Sequence, residues 1–172
     1  MSAGGARRGG NTALGLGVAL VVLVADQASK WWVLMNLPEH GPLELLPVLD
    51  LVLVRNAGIT FGMFRADSTA GSAVLTLAAL AVIAGIVTWM IRADRWVMAA
   101  ALGAIAGGAV GNVIDRVRYG AVVDFIHAHA YGWQWYVFNV ADAAIVCGVA
   151  TLVLDGLRVR HGERLAADPP SR

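Results

Sequence analysis

Asp26, Asp115 and Asp142 each interrupt an apolar run, in GVALVVLVADQASK, GGAVGNVIDR and FNVADAAIVCGVATLVL. An ionised side chain at a bilayer centre costs roughly 3 kcal/mol even on the gentlest insertion scale, so each carboxylate needs a chemical reason to be there. A fourth, Asp124, is delivered by the Gly-led, β-branched segment GAVVDFI. Two carboxylates brought face to face in a semi-apolar site cannot both ionise, and one proton becomes shared. The ionised member can then deprotonate a water while the protonated member polarises a carbonyl, which hydrolyses an amide without a metal or a covalent intermediate. Residue chemistry alone leaves Asp115, Asp124 and Asp142 as candidates and does not choose the pair.

Other polar residues fall on the same faces. Asp26 and Lys30 are spaced i,i+4, while Asn112 with Asp115 and Asn139 with Asp142 are spaced i,i+3, so each pair projects from one side of a helix. Gly107 and Gly111 form a Gly-x-x-x-Gly spacing that lets one helix approach another closely.

The elements that must position these groups are membrane helices. Of 172 residues, 58% are hydrophobic and only 15% charged, and mean hydropathy is +0.67, a balance foreign to a soluble domain of this length. Apolar runs long enough to cross a hydrocarbon core are expected near residues 13–34, 69–91, 96–114 and 137–157. They leave outer loops near 35–68 and 115–136 and mobile tails over 1–11 and 159–172, all within a single domain spanning 1–172. Arg7, Arg8, Arg92, Arg95, Arg158, Arg160 and Arg164 flank the spans on one side, which predicts both termini in the cytoplasm. The run Leu49–Val54 reads as a strand ending at the turn-prone Asn56-Ala57-Gly58. Trp31, Trp32, Trp133 and Trp135 fall near the predicted outer boundaries, as an interfacial belt would.

Rival chemistries are less well served. Ser29-Lys30 suggests a serine–lysine peptidase, but adjacent helical residues do not face each other. His127 and His129 with Asp124 suggest a metal site, although His-Ala-His in a loop is more often solvated, and no metal or cofactor is expected. Cys147, the single cysteine, is expected to be a buried, inert thiol. A non-enzymatic ion or proton carrier is the alternative from another class, but it calls for carboxylates at mid-span. The formal net charge of +1 gives no sign of a nucleic-acid partner, and none is expected.

The blocks DQASK (26–30), RNAGITFG (55–62), GGAVGNVIDRVRYGAVVDF (107–125) and FNVADAAI (138–145) resemble, in order, the signature segments of lipoprotein signal peptidase, the type II signal peptidase of bacteria. The resemblance spans most of residues 20–157. It implies a four-helix membrane bundle with a small β-structured cradle and a loop over the outer face. It further implies an aspartic endopeptidase of the bacterial inner membrane, active toward the outer face. Such an enzyme acts as a monomer amid membrane lipid on diacylglyceryl-modified prolipoproteins, cleaving just before the lipidated cysteine. Carried over by motif, Asp124 and Asp142 become the catalytic pair. Asn56, Asn112, Arg116 and Asn139 line the cleft, Asp115 holds the site, and Asp26 and Lys30 brace the neighbouring helix. Thr60 and Ala143 depart from the family pattern without removing a group that the chemistry needs.

Overall fold

The computed structural model describes residues 3–37, 41–58 and 69–167. Thr60, Arg65 and the rest of 59–68 therefore lie outside the described residues, as do 168–172 of the expected tail.

Among the described residues, four helices are long and apolar enough to cross a membrane: α1 (Ala3–Asn36), α2 (Thr69–Met90), α3 (Trp96–Tyr119) and α4 (Val140–Ala167). Three of them, α1, α3 and α4, are longer than the apolar runs predict, because backbone hydrogen bonding continues wherever side chains can be satisfied, while α2 matches its run to within one residue. At the N-terminal end, α1 already runs from Ala3 through the stretch expected as a mobile tail. Arg8 Nε sits 2.6 Å from Asp94 Oδ1, and buried Asn11 donates to the Ala93 carbonyl at 3.2 Å. Arg95 pairs with Asp155 at that same end of the bundle. Likewise α4 continues to Ala167, and α3 carries Asp115 and Arg116 on its last turns rather than in an outer loop.

α3 is the central helix, packed against each of the other three. Of its apolar window 56% is buried, against 6–11% for the others, whose exposed Leu and Val side chains are those a lipid-facing surface requires. Small residues permit this centrality. A Cβ on Gly103 would collide with the Gly15 backbone, and one on Gly107 with the Ala19 backbone, so α1 lies against α3 main chain to main chain.

At the end of the bundle opposite the Arg8–Asp94 pair, four strands form an antiparallel sheet in sequence order: β1 (Leu43–Leu46), β2 (Leu49–Asn56), β3 (Val122–Ala130) and β4 (Trp133–Gln134). The register sets Val54 opposite Asp124 and Asn56 opposite Val122, with an irregularity between Leu51 and Val54. Tyr131 and Gly132, both at positive φ, close the β3–β4 hairpin in two residues, as the strand twist favours. Val33 and Leu37 of α1 pack with Leu51 of β2 and Phe125 of β3, fastening the sheet to the bundle. Trp31, Trp32, Trp133 and Trp135 are all exposed around this end.

Candidate active site

The site is built where α4 begins. Asn139 precedes the helix and accepts the Asp142 N–H on its Oδ1 at 2.9 Å, while Asp142 Oδ2 accepts the Asn139 N–H at 3.4 Å. This is a reciprocal capping box, with Asp142 at the third helical position and in reach of the positive end of the helix dipole. A second orphan donor, the Ala141 N–H, goes to Asp26 Oδ1 of α1 at 3.0 Å. The start of α4 is thus held by its own cap and by a carboxylate 115 residues away in sequence.

Asp124 arrives from the other side. α3 terminates at Gly120, whose φ of +72° is the left-handed conformation a C-terminal cap needs and whose N–H bonds the Arg116 carbonyl at 3.0 Å. Two residues later β3 starts, pinned to α3 by the Val123 N–H donating to Asp115 Oδ2 at 3.1 Å. The next side chain, Asp124, points into the site. Its Oδ2 accepts from Asn56 Nδ2 at 3.0 Å and its Oδ1 from Asn139 Nδ2 at 2.7 Å. Asn139 therefore bonds both aspartates, one through its amide nitrogen and one through its amide oxygen. Asn112 Nδ2 donates to Asp142 Oδ1 at 2.8 Å.

Beneath the pair lies a buried ionic cluster. Lys30 Nζ stands 2.9 Å from Asp26 Oδ2 and 2.7 Å from Asp115 Oδ2, and it donates to Asn112 Oδ1 at 3.0 Å. Gln27 Nε2 bonds Asp26, Asp115 and the Gly111 carbonyl. A Cβ on Gly111 would strike the Asp26 carboxylate, so this glycine makes room for the charge. All three ionic side chains are sealed from solvent, which is tolerable only because every charge is paired and further hydrogen-bonded.

Two cavities meet at the aspartates. A polar one of about 160 Å³ is lined by Asn56, Gly58, Asn112, Arg116, Val122, Asp124 and Asp142. The second, about 650 Å³ and mostly apolar, runs between the 135–138 segment and α4, with Ile145, Val146 and Cys147 on its wall. Arg116 spans the polar cavity, donating to the Asn112 and Gly58 carbonyls at 3.4 Å each. Burial pushes Asp124 up to about 6, reinforced by the nearby charge of Asp142 and opposed by hydrogen bonds from Asn56 and Asn139 and by the charge of Lys30.

All nine sequence-predicted site residues, Asp26, Lys30, Asn56, Asn112, Asp115, Arg116, Asp124, Asn139 and Asp142, belong to this one connected network. Four residues were not anticipated as contributors. Gln27, inside the DQASK block, had an amide in an apolar helix as its signal; Gly58 and Phe138 lie inside the RNAGITFG and FNVADAAI blocks but offer only a backbone carbonyl and an apolar wall, and Val137 had no signal. The set His127, His129 and Asp124 is not assembled. Both imidazoles face Asp50 instead, at 3.8 Å from His127 Nδ1 and 2.9 Å from His129 Nε2. Ser29 Oγ is tied to the Asp26 carbonyl of its own helix. The expectation of a buried Cys147 is overturned. The thiol is exposed on α4, because an apolar stretch in a membrane bundle can face lipid or a cleft as readily as a core.

Comparison with known proteins gives a consistent result. The family model described as Signal peptidase (SPase) II matches residues 18–158. A lipoprotein signal peptidase of Methylorubrum extorquens (strain PA1) is 49% identical over 146 residues, covering 84% of this chain and 85% of that protein. One from Methylobacterium sp. (strain 4-46) is 48% identical over 144 residues, covering 83% and 87%. A solved bacterial membrane enzyme, determined by the in meso method at 2.3 Å resolution, superposes with a TM-score of 0.75 at 26% identity, covering 84% of this chain and 87% of that one.

Proposed function

The chain belongs to the signal peptidase II family, and from that premise we propose that it cleaves its substrate by an aspartic mechanism in which Asp124 and Asp142 are the catalytic pair. It is a multi-pass protein of the bacterial inner membrane that removes signal peptides from prolipoproteins. The observation that carries the aspartic reading is Asn139, which bonds both carboxylates at the one place where the polar and apolar cavities meet.

Asp142 is the ionised member, at a helix N-terminus and bonded by Asn112; Asp124, pushed up to about 6 by burial, carries the shared proton. Asp142 takes a proton from a water held between the two, the water oxygen bonds to the scissile carbonyl carbon, and Asp124 donates its proton to the carbonyl oxygen. Collapse of this tetrahedral adduct returns that proton to Asp124 and breaks the C–N bond. The proton on Asp142 passes to the leaving amine, which restores the starting state. Arg116, Asn56 and Asn112 line the polar cavity where the substrate backbone lies. Asp26, Lys30 and Asp115 hold the helices that present them.

The cleaved bond lies just before a diacylglyceryl-modified cysteine, whose acyl chains occupy the apolar cavity against α4 and the surrounding lipid. Burying acyl methylenes at about 0.8 kcal/mol each supplies affinity that a short peptide lacks. The enzyme works as a monomer, with both termini cytoplasmic and the sheet end of the bundle toward the outer face. The lipidated precursor is the discriminating substrate. Wild type should cleave it in detergent with chelator present, while Asp124→Asn and Asp142→Asn, folded and still binding, should not; an unlipidated peptide should be a poor substrate. Retained turnover in Asp124→Asn with loss in Asp115→Asn would move the pair to a different carboxylate. Nothing in the geometry or the comparisons favours the ion or proton carrier.

A further inference from the structure

We propose that Lys30, which is sealed from the cavities, is a positioning residue for the reaction, orienting the Asn112 amide toward Asp142 and setting the charge against which the catalytic pair holds its shared proton. The inference rests on the aspartic reading above and extends it to a group that touches no substrate.

Asn112 offers one carbonyl oxygen and one NH2, and which of them faces Asp142 decides whether that contact is a hydrogen bond or a repulsion. Lys30 Nζ donates to Asn112 Oδ1 at 3.0 Å, and Asn139 Nδ2 approaches the same oxygen at 3.2 Å. With two donors on the oxygen, only the NH2 is left for Asp142, where it stands 2.8 Å from Oδ1. An ammonium has three donors and no acceptor, so Lys30 cannot tolerate the flipped amide. Its three partners are Asp26 Oδ2, Asp115 Oδ2 and Asn112 Oδ1, which account for all three donors.

The same cation is also a buried positive charge beneath the pair. The charged groups around it are Asp26 on its own helix, Asp115 and Arg116 on α3, Asp142 on α4 and Asp124 on β3; α2 presents none among the described residues. Arg116 lines the open polar cavity, whereas Lys30 is only 2% exposed, so its field reaches the carboxylates with less solvent screening. Its charge lowers the proton affinity of Asp124, against the effect of burial. Two negative partners offset it, so charge changes within this cluster should move the proton equilibrium of the pair in either direction without touching the cavity wall.

The test is the pH profile of kcat/KM on a diacylglyceryl-modified precursor peptide, measured on the full-length protein in detergent. Lys30→Met should shift both limbs to higher pH by about half a unit or more, together with a fall in kcat larger than any change in KM. Asp26→Asn removes one negative charge and keeps its one oxygen for the Ala141 N–H, while Asp115 and Asn112 still hold the Lys30 ammonium, so it should fold and shift both limbs to lower pH. If Lys30→Met does not fold, Asp26→Asn decides alone. A uniform loss of rate with limbs unmoved in the folded variant would reduce Lys30 to a brace between helices and overturn the inference. Asp124→Asn and Asp142→Asn are run beside them. Activity in either of those would sink the aspartic reading itself, a result that the Lys30 and Asp26 profiles cannot mimic.

Discussion

Replacing Asn139 separates two jobs that one side chain performs. It is fully buried, and its Oδ1 caps α4 while its Nδ2 donates to Asp124 at 2.7 Å. Loss of an N-cap costs about 1 kcal/mol, and loss of a buried bond to a carboxylate a further 1.5–3, so Asn139→Ala should be destabilised by roughly 2–4 kcal/mol. For a chain of this size that is a fall in Tm of roughly 5–15 °C, read by thermal unfolding in detergent. Activity should fall as well, by roughly 10- to 100-fold in kcat/KM at the optimum, if the lost bond is worth the same in the transition state. Asp124 would also be short of a donor to its ionised form, so it would hold its proton to higher pH than about 6, and the alkaline limb of the activity profile would move up. Asn139→Ser is the informative partner. Serine is a good cap and should recover about 1 kcal/mol of stability, yet it is too short to reach Asp124, so the rate and the shifted limb should stay those of the alanine variant. Full recovery of activity in Asn139→Ser, or an Asn139→Ala protein that melts with wild type, would refute the reasoning.

Other expectations follow from the same geometry. The Asp124 carboxyl titrates near 6 when folded and near 3.8 when free, so its proton stabilises the fold fully below pH 3.8 and that contribution is lost as pH rises through 6; the Tm of wild type should fall relative to Asp124→Asn across that window, and parallel Tm–pH curves would contradict it. Gly103→Ala should lower Tm because its Cβ meets the Gly15 backbone, whereas Gly85→Ala, with open space around it, should leave Tm unchanged or raised. Cys147→Trp should narrow the 650 Å³ apolar cavity and raise KM for a diacylated substrate with little change in kcat, as steady-state kinetics would show.

Much of this arrangement was legible because membrane burial makes polar residues conspicuous. Asp26, Asp115 and Asp142 announced themselves by cost alone, and the i,i+4 spacing of Asp26 and Lys30 foretold a pair now found at 2.9 Å. The strand at 49–54 was visible from its β-branched run and its turn, and it lies within β2. Asp124 was harder, since a loop carboxylate has a bland explanation until β2 and Asp115 are seen to hold it. What spacing could not convey was the third dimension of satisfaction. The apolar run stops at 114 and puts Asp115 at the loop edge despite its helical spacing from Asn112; Lys30 and Gln27 satisfy it, and α3 continues through it to Tyr119. Cys147 was misjudged for the opposite reason, since in a bilayer an apolar neighbourhood in sequence says little about which way a helix face turns.

The bond from the Ala141 N–H to Asp26 joins the first membrane helix to the start of the last. Because α4 is the last helix in chain order, Asn139, the Ala141 N–H and Asp142 are made after α1, α3 and β3, the elements that carry their partners. Until α4 packs, Asp124 lacks its Asn139 donor and has no second carboxylate beside it, so on the aspartic mechanism proposed above the site is assembled only when the last helix is in place. On that mechanism the whole site depends on docking one helix end, late in the chain, onto a carboxylate carried by the first helix.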